Sequence, residues 1–206
     1  MKLKCLLISS PIVAVALMLA ANATAVPIEF VANLSGAKEV PPNASPGTGS
    51  ATALFDLANH TLDLHVTFSG LTSGTNAAHI HAPTAFRFGG TASVATQVPF
   101  FDGFPIGVTS GTYDRTFDTS DSSFYNPDFI TNNGGTVAAA EAAFASALAD
   151  GRAYLNIHTE NFPKGEIRGF LFTPDTTPTI VCFGLGLIGL GMFRRKFRRH
   201  LGVRPQ

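Results

Sequence analysis

Apolar and polar residues alternate with a period of two along most of the chain's middle. Ile28, Phe30, Ala32 and Leu34 alternate with Glu29, Val31 and Asn33. Ala51, Ala53, Phe55 and Leu57 do the same, and Leu62, Leu64, Val66 and Phe68 follow after a turn at Ala58-Asn59-His60. Successive side chains of a strand point to opposite faces, so this pattern predicts half-buried strands and, here, a hairpin with matched apolar faces. Further strands are expected at Ala77–Ala82, Ser93–Phe101, Gly107–Phe117, Ala153–Thr159 and Glu166–Phe172. Only Thr136–Asp150 reads as helix, with Val137, Ala140, Phe144 and Leu148 on one stripe and Gly151 as its stop. Short strands divided by Gly, Pro and Asn predict an all-β fold, an antiparallel sandwich or barrel with one Ala-rich helix. The least regular stretch, Pro83–Gly135, holds eight Phe, which are expected to plug the core beneath long loops. An exposed aromatic surface for a partner is the alternative.

Both ends depart from this pattern. Residues 1–25 have a basic start (Lys2, Lys4), an apolar run to Ala21 and a small-x-small Ala23-Thr24-Ala25, as in a cleaved export signal. The mature chain then begins near Val26; a retained membrane anchor is the alternative. At the other end, Thr179–Phe193 carries no charge and is followed at once by Arg194-Arg195-Lys196-Phe197-Arg198-Arg199. Fifteen helical residues span roughly 22 Å, short of the ~30 Å hydrocarbon core. A basic cluster there holds that end in the cytoplasm. The expected organisation is a leader at 1–25, a β domain at 26–173 and a tail at 174–206.

Charge is segregated in the same way. Lys+Arg and Asp+Glu are each 14, yet all 14 acids lie between Glu29 and Asp175 with only six basic residues, leaving that body at 6 − 14 = −8. An acidic body argues against nucleic acid as partner, since duplex affinity comes mainly from Lys and Arg on phosphates. Of the two Cys, Cys5 lies in the leader and Cys182 in the tail, so the body must stand on its hydrophobic core without disulfides.

The candidate chemistry is histidine. His79 and His81 lie two apart on one strand and share a face; His158 lies on another, opposite Leu155 and Ile157. Paired strands would bring three imidazoles together, a set suited to Cu or Zn, with Glu166 as an extra ligand or as an orienter of one. His-x-His on a strand resembles the metal strand of copper-zinc superoxide dismutases. The plainer alternative is that these histidines hydrogen-bond backbone or carboxylates and fix loop ends. Glu166 and Arg168 read more simply as a turn-ordering ion pair, Asn156 and Thr159 as partners for backbone groups, and His60 and His65 as surface residues. No nucleophile elbow, phosphate loop or body thiol is present, and the pair Asp118 and Asp121 sits in polar loops, so no catalytic residue is assigned.

Three ordered phrases carry a family resemblance: Leu34-Ser35-Gly36-Ala37-Lys38-Glu39-Val40-Pro41-Pro42, then Ala78-His79-Ile80-His81-Ala82-Pro83, then Tyr154-Leu155-Asn156-Ile157-His158-Thr159 with Phe162-Pro163-Lys164-Gly165-Glu166-Ile167-Arg168-Gly169. In this order they resemble a CHRD (chordin-type) domain. The resemblance implies an immunoglobulin-like β fold, an exported setting and no established reaction. The tail, preceded by Pro174-Asp175-Thr176-Thr177-Pro178, resembles a PEP-CTERM sorting signal. That resemblance implies an exosortase-like membrane enzyme as a processing partner, after transient insertion of the tail in the inner membrane. Asp stands where that family has Glu and two Thr intervene before Pro178, so a plain membrane anchor is the alternative. The leading expectation is thus a non-enzymatic surface or matrix module binding protein or polysaccharide outside the cell. The alternative is a periplasmic or surface Cu or Zn protein resting on His79, His81 and His158, with metal-dependent redox activity as its enzymatic form.

Overall fold

A computed structural model describes residues 26–174; the expected leader and all of the expected tail beyond Pro174 lie outside the described residues. Seven strands form one curled sheet: β1 (Ile28–Ser35), β2 (Thr48–Asp56), β3 (Thr61–Ser69), β4 (Thr75–His81), β5 (Gly111–Asp118), β6 (Tyr154–Thr159) and β7 (Ile167–Phe170). Their order is β4-β6-β7-β1-β2-β3-β5, and every strand pair is antiparallel. The all-β, antiparallel expectation holds, in its barrel-like form.

The period-two residues set the inside of the curl. Phe30, Ala32 and Leu34 of β1, Ala53 and Phe55 of β2, and Leu62, Leu64, Val66 and Phe68 of β3 are all buried. The register that aligns them is Phe30↔Ala53 and Phe55↔Leu62. The β2–β3 turn forms because Asp56 Oδ1 accepts the amides of Ala58 and Asn59, and His60 takes the left-handed conformation at φ 55°.

Helix α2 (Val137–Ala149) closes the inside of the curl. Thr136 Oγ1 caps it by accepting from Ala139 N, and Gly151 at φ 64° follows its end. Its predicted stripe is the one that packs: Ala140, Phe144 and Leu148 are buried, and the Phe144 ring meets Phe55, Phe124 and Tyr125 edge-on. Emptying that site by Phe144→Ala would cost about 3–5 kcal/mol.

Three sequence expectations are corrected. Ser93–Phe101 is not a strand; it runs over the outer edge of β4, meeting it through single bridges at His81↔Val94 and Ala78↔Phe100. Pro99 has no N–H to give a ladder, and its carbonyl instead accepts from Ala78 N. The fifth strand begins at Gly111, not Gly107. A second short helix, α1 (Pro127–Asn132), was legible in Asn126-Pro127: Asn126 caps it by accepting from Asp128 N, and Pro is favoured at a first helical position. Most of the Phe do plug the core, including Phe101, Phe104, Phe117, Phe124 and Phe129, whereas Phe86 stands out in solvent and Phe88 is half-exposed against Phe170 and Phe172.

Candidate metal centre

Strand β6 is buried on both faces, because loops cover the side of β4, β6 and β7 that faces away from the core. Rows of residues cross that covered face. His79 pairs with Asn156, which pairs with Arg168. In the next row His81 pairs with Tyr154, which pairs with Phe170. His158 lies opposite Ala77, one step along β6 from Asn156 on the same face. The alternation read from the sequence therefore places all three histidines together, His79 and His158 buried and His81 half-buried.

Their ring centroids are 4.7 Å apart for His79 with His81, 4.7 Å for His79 with His158 and 6.1 Å for His81 with His158. Each Nδ1 meets a backbone carbonyl: His79 meets Pro99 O at 3.1 Å, His81 meets Ala92 O at 2.8 Å, and His158 meets Pro163 O at 3.1 Å. A carbonyl can only accept, so each Nδ1 carries the proton and each Nε2 is left with a free lone pair. All three Nε2 atoms are buried and have no hydrogen-bond partner. Ligating atoms of the three lie within 4.8 Å of one another. A tetrahedral ion with bonds near 2.0–2.1 Å holds its nitrogens about 3.3 Å apart, so the rings need only close slightly around it.

Electrostatics favour the neutral, ligating form. Burial pulls the His79 imidazole down to about 3, helped by the neighbouring His81 and His158. Burial likewise lowers His81 to about 4, against the pull of the Ala92 carbonyl and with the help of His158 and Arg168. His158 shifts the same way for the same first reason. Neutral imidazole with its other nitrogen held by a carbonyl is the state a metal needs.

Glu166 is not in this group. Its carboxylate accepts from Ser45 Oγ at 2.6 Å, Thr72 N at 2.7 Å and Thr159 Oγ1, and so ties two loops to the end of β6. Nor does it pair with Arg168, which corrects the expected ion pair. Arg168 donates to Lys38 O and to Gly90 O at 3.2 Å, stacks over Tyr154 at 4.6 Å, and lies 3.9 Å from Glu39. Thr159 serves as expected by accepting from Phe162 N, but Asn156 Oδ1 is buried without a partner.

Periodicity and motif chemistry do not single out Glu39 as a site residue. It is an acid in the mostly apolar phrase Gly36–Pro42, buried behind Arg168, and burial raises its carboxyl to about 7 against the pull of Arg168. That isolated acid was the available signal. The carbonyls of Ala92, Pro99 and Pro163 were not legible, because backbone atoms leave no mark in side-chain identity.

An antiparallel β module with a covered triad of imidazoles is the class that fold and site define. The chain belongs to the CHRD domain family, which it matches over residues 30–171. No curated protein matches it. Among solved structures it is similar to a mutant of superoxide dismutase 5 from Candida albicans, at 15% identity and a TM-score of 0.41, over 75% of this chain and 96% of that one. No helix among the described residues is long and apolar enough to cross a membrane.

Proposed function

We propose that this protein is an exported metal-binding module, in which His79, His81 and His158 hold one Cu or Zn ion. One observation carries the reading: three buried Nε2 lone pairs converge while every Nδ1 is held by a carbonyl. A histidine that serves only as fold glue uses its buried nitrogens, because leaving one unpaired costs about 1–3 kcal/mol. Three such costs in one place are offset when a cation takes the lone pairs. Three nitrogens leave a fourth position open, as in solvent-accessible zinc sites rather than closed structural ones. No reaction is assigned to it.

The decisive experiment is titration of the chelator-treated full chain with Zn2+ and with Cu2+ at neutral pH, read by calorimetry and by thermal unfolding. One equivalent should bind, and an ion at a hundred times its Kd should stabilise the protein by about 2.7 kcal/mol. Absence of stoichiometric binding would sink the reading.

Export and surface sorting belong to the same proposal. The leader at 1–25 would direct secretion, and the tail at 174–206 would be held in the inner membrane until an exosortase-like enzyme removes it. A second reading, a surface or matrix module that binds protein or polysaccharide, draws on the aromatic group near the chain's last described residues. Phe88 packs there against Phe172, both partly open to solvent, and Phe86, two residues before Phe88, is 72% exposed. The two readings are compatible, since the aromatics and the imidazoles are different groups.

A further inference from the structure

Five buried side-chain atoms among the described residues have no hydrogen-bond partner. Three are the histidine Nε2 atoms, and the others are Asn156 Oδ1 and Glu39 Oε1. The three nitrogens and Asn156 Oδ1 are acceptors, and Glu39 Oε1 is one when its carboxyl is ionised, so unmet acceptors gather on one side of the sheet. Asn156 lies directly across from His79, and beside His158 on the same face of β6. Glu39 approaches Asn156 from the turn after β1. Both side chains abut Gly165, where a Cβ would come within 2.5 Å of Asn156 Nδ2, 2.7 Å of Asn156 Oδ1 and 2.8 Å of Glu39 Oε1. Gly165 sits at φ 122°, a conformation side chains rarely adopt, so the absence of a Cβ there leaves room for both groups.

A cation accounts for the three nitrogens, but two oxygens remain unpaired. Taking the histidine-bound metal as given, we infer that Asn156 Oδ1 and Glu39 Oε1 receive the hydrogens of a neutral donor ligand at the open fourth position, so that the centre selects solvent water over small anions. Water offers two O–H donors to two acceptors. A halide or pseudohalide brings only lone pairs and would meet lone pairs. Arg168 is the buried cation beside these residues and would favour an anion. Its Nε and Nη1 are already given to Lys38 O and Gly90 O, its face rests on Tyr154, and Glu39 stands 3.9 Å away to offset its charge.

The test uses Co2+ as a visible-absorbing probe ion and azide as the competing anion, on the full chain and on the Asn156→Leu and Glu39→Gln variants. Leucine keeps the volume and removes the lone pair; glutamine keeps the shape and turns a charged acceptor into a group that can donate. Azide should perturb the Co2+ spectrum of the unaltered protein only weakly, and should bind each variant at least tenfold more tightly, while Co2+ affinity changes less than threefold. Equal azide affinity in all three proteins overturns the inference and leaves the metal reading standing. So does a gain confined to Glu39→Gln, which would be a charge effect at a distance. Failure of the unaltered chain to take up Co2+ overturns both. Circular dichroism checks that each variant folds, and Asn156→Ala takes the place of Asn156→Leu if the leucine variant does not.

Discussion

His60 Nδ1 lies 2.8 Å from Glu141 Oε2, which ties the β2–β3 turn to the inward face of α2. Glu141 is buried and also accepts from Thr119 Oγ1, so its carboxylate joins a turn, a helix and the end of β5. The hydrogen bond and charge of Glu141 raise the His60 imidazole above its ordinary value. The stabilisation from this pair is therefore complete below about pH 6.5 and is lost as the pH rises through the raised value. His60→Asn, which tolerates the left-handed turn, should lower the unfolding midpoint at pH 5.5 and have a smaller effect at pH 9. An equal loss at both would reduce the contact to packing.

The histidine triad has the opposite pH dependence. The folded protein keeps these imidazoles neutral, while the unfolded chain protonates them below about pH 6.5. Between there and folded values of about 3 for His79 and 4 for His81, the unfolded state binds more protons, so stability falls as the pH drops. Each buried histidine contributes up to ~1.4 kcal/mol per pH unit, so His79 and His81 together should cost chelator-treated protein roughly 3 kcal/mol between pH 6.5 and 5. The loss is read in a Glu39→Gln background, because the raised Glu39 carboxyl takes up its proton in the folded state over the same range and offsets it. Urea denaturation across that range measures it, and a flat profile would remove the burial argument.

Glu166 and His81 should separate cleanly. Glu166→Ala leaves the buried Thr159 hydroxyl and the partly covered Ser45 and Thr72 donors without their acceptor and should cost about 2–3 kcal/mol of stability, with metal affinity changed less than threefold. His81→Ala should weaken Zn2+ or Cu2+ binding at least tenfold, about 1.4 kcal/mol, while His60→Ala leaves binding alone. A matched loss of metal affinity in Glu166→Ala would bring the carboxylate back as a ligand.

Processing can be read from mass. Protein recovered from its native cell surface should begin near Val26 and end before the apolar run, near Thr177. A species that still carries Arg194–Arg199 would leave the tail as a plain membrane anchor.

What the sequence disclosed and what it hid follow from one physical distinction. Phe30, Leu64 and His79 could be placed because a strand's alternation assigns every side chain to a face. His158 could be placed beside His79 because β6 carries the same alternation. The segment 93–101 looked like a strand by the same rule, and failed because it meets β4 only at isolated points and contains Pro99. Glu39 and Asn156 could not be assigned roles, since those depend on which loops fold over the sheet. Spacing alone pairs Arg168 with Glu166, yet these long side chains reach partners 130 and 121 residues away in Lys38 and Ser45.

The ring of Tyr154 stacks on His81, with centroids 4.7 Å apart and planes within 7° of parallel. The chain has no Trp and three Tyr, all of them in the described domain at Tyr113, Tyr125 and Tyr154. Its ultraviolet emission is thus tyrosine emission alone, and one of its three sources touches a proposed ligand. An open-shell ion such as Cu2+ on His81 would darken that tyrosine, whereas closed-shell Zn2+ would not. The molecule has a built-in optical gauge of which ion it holds.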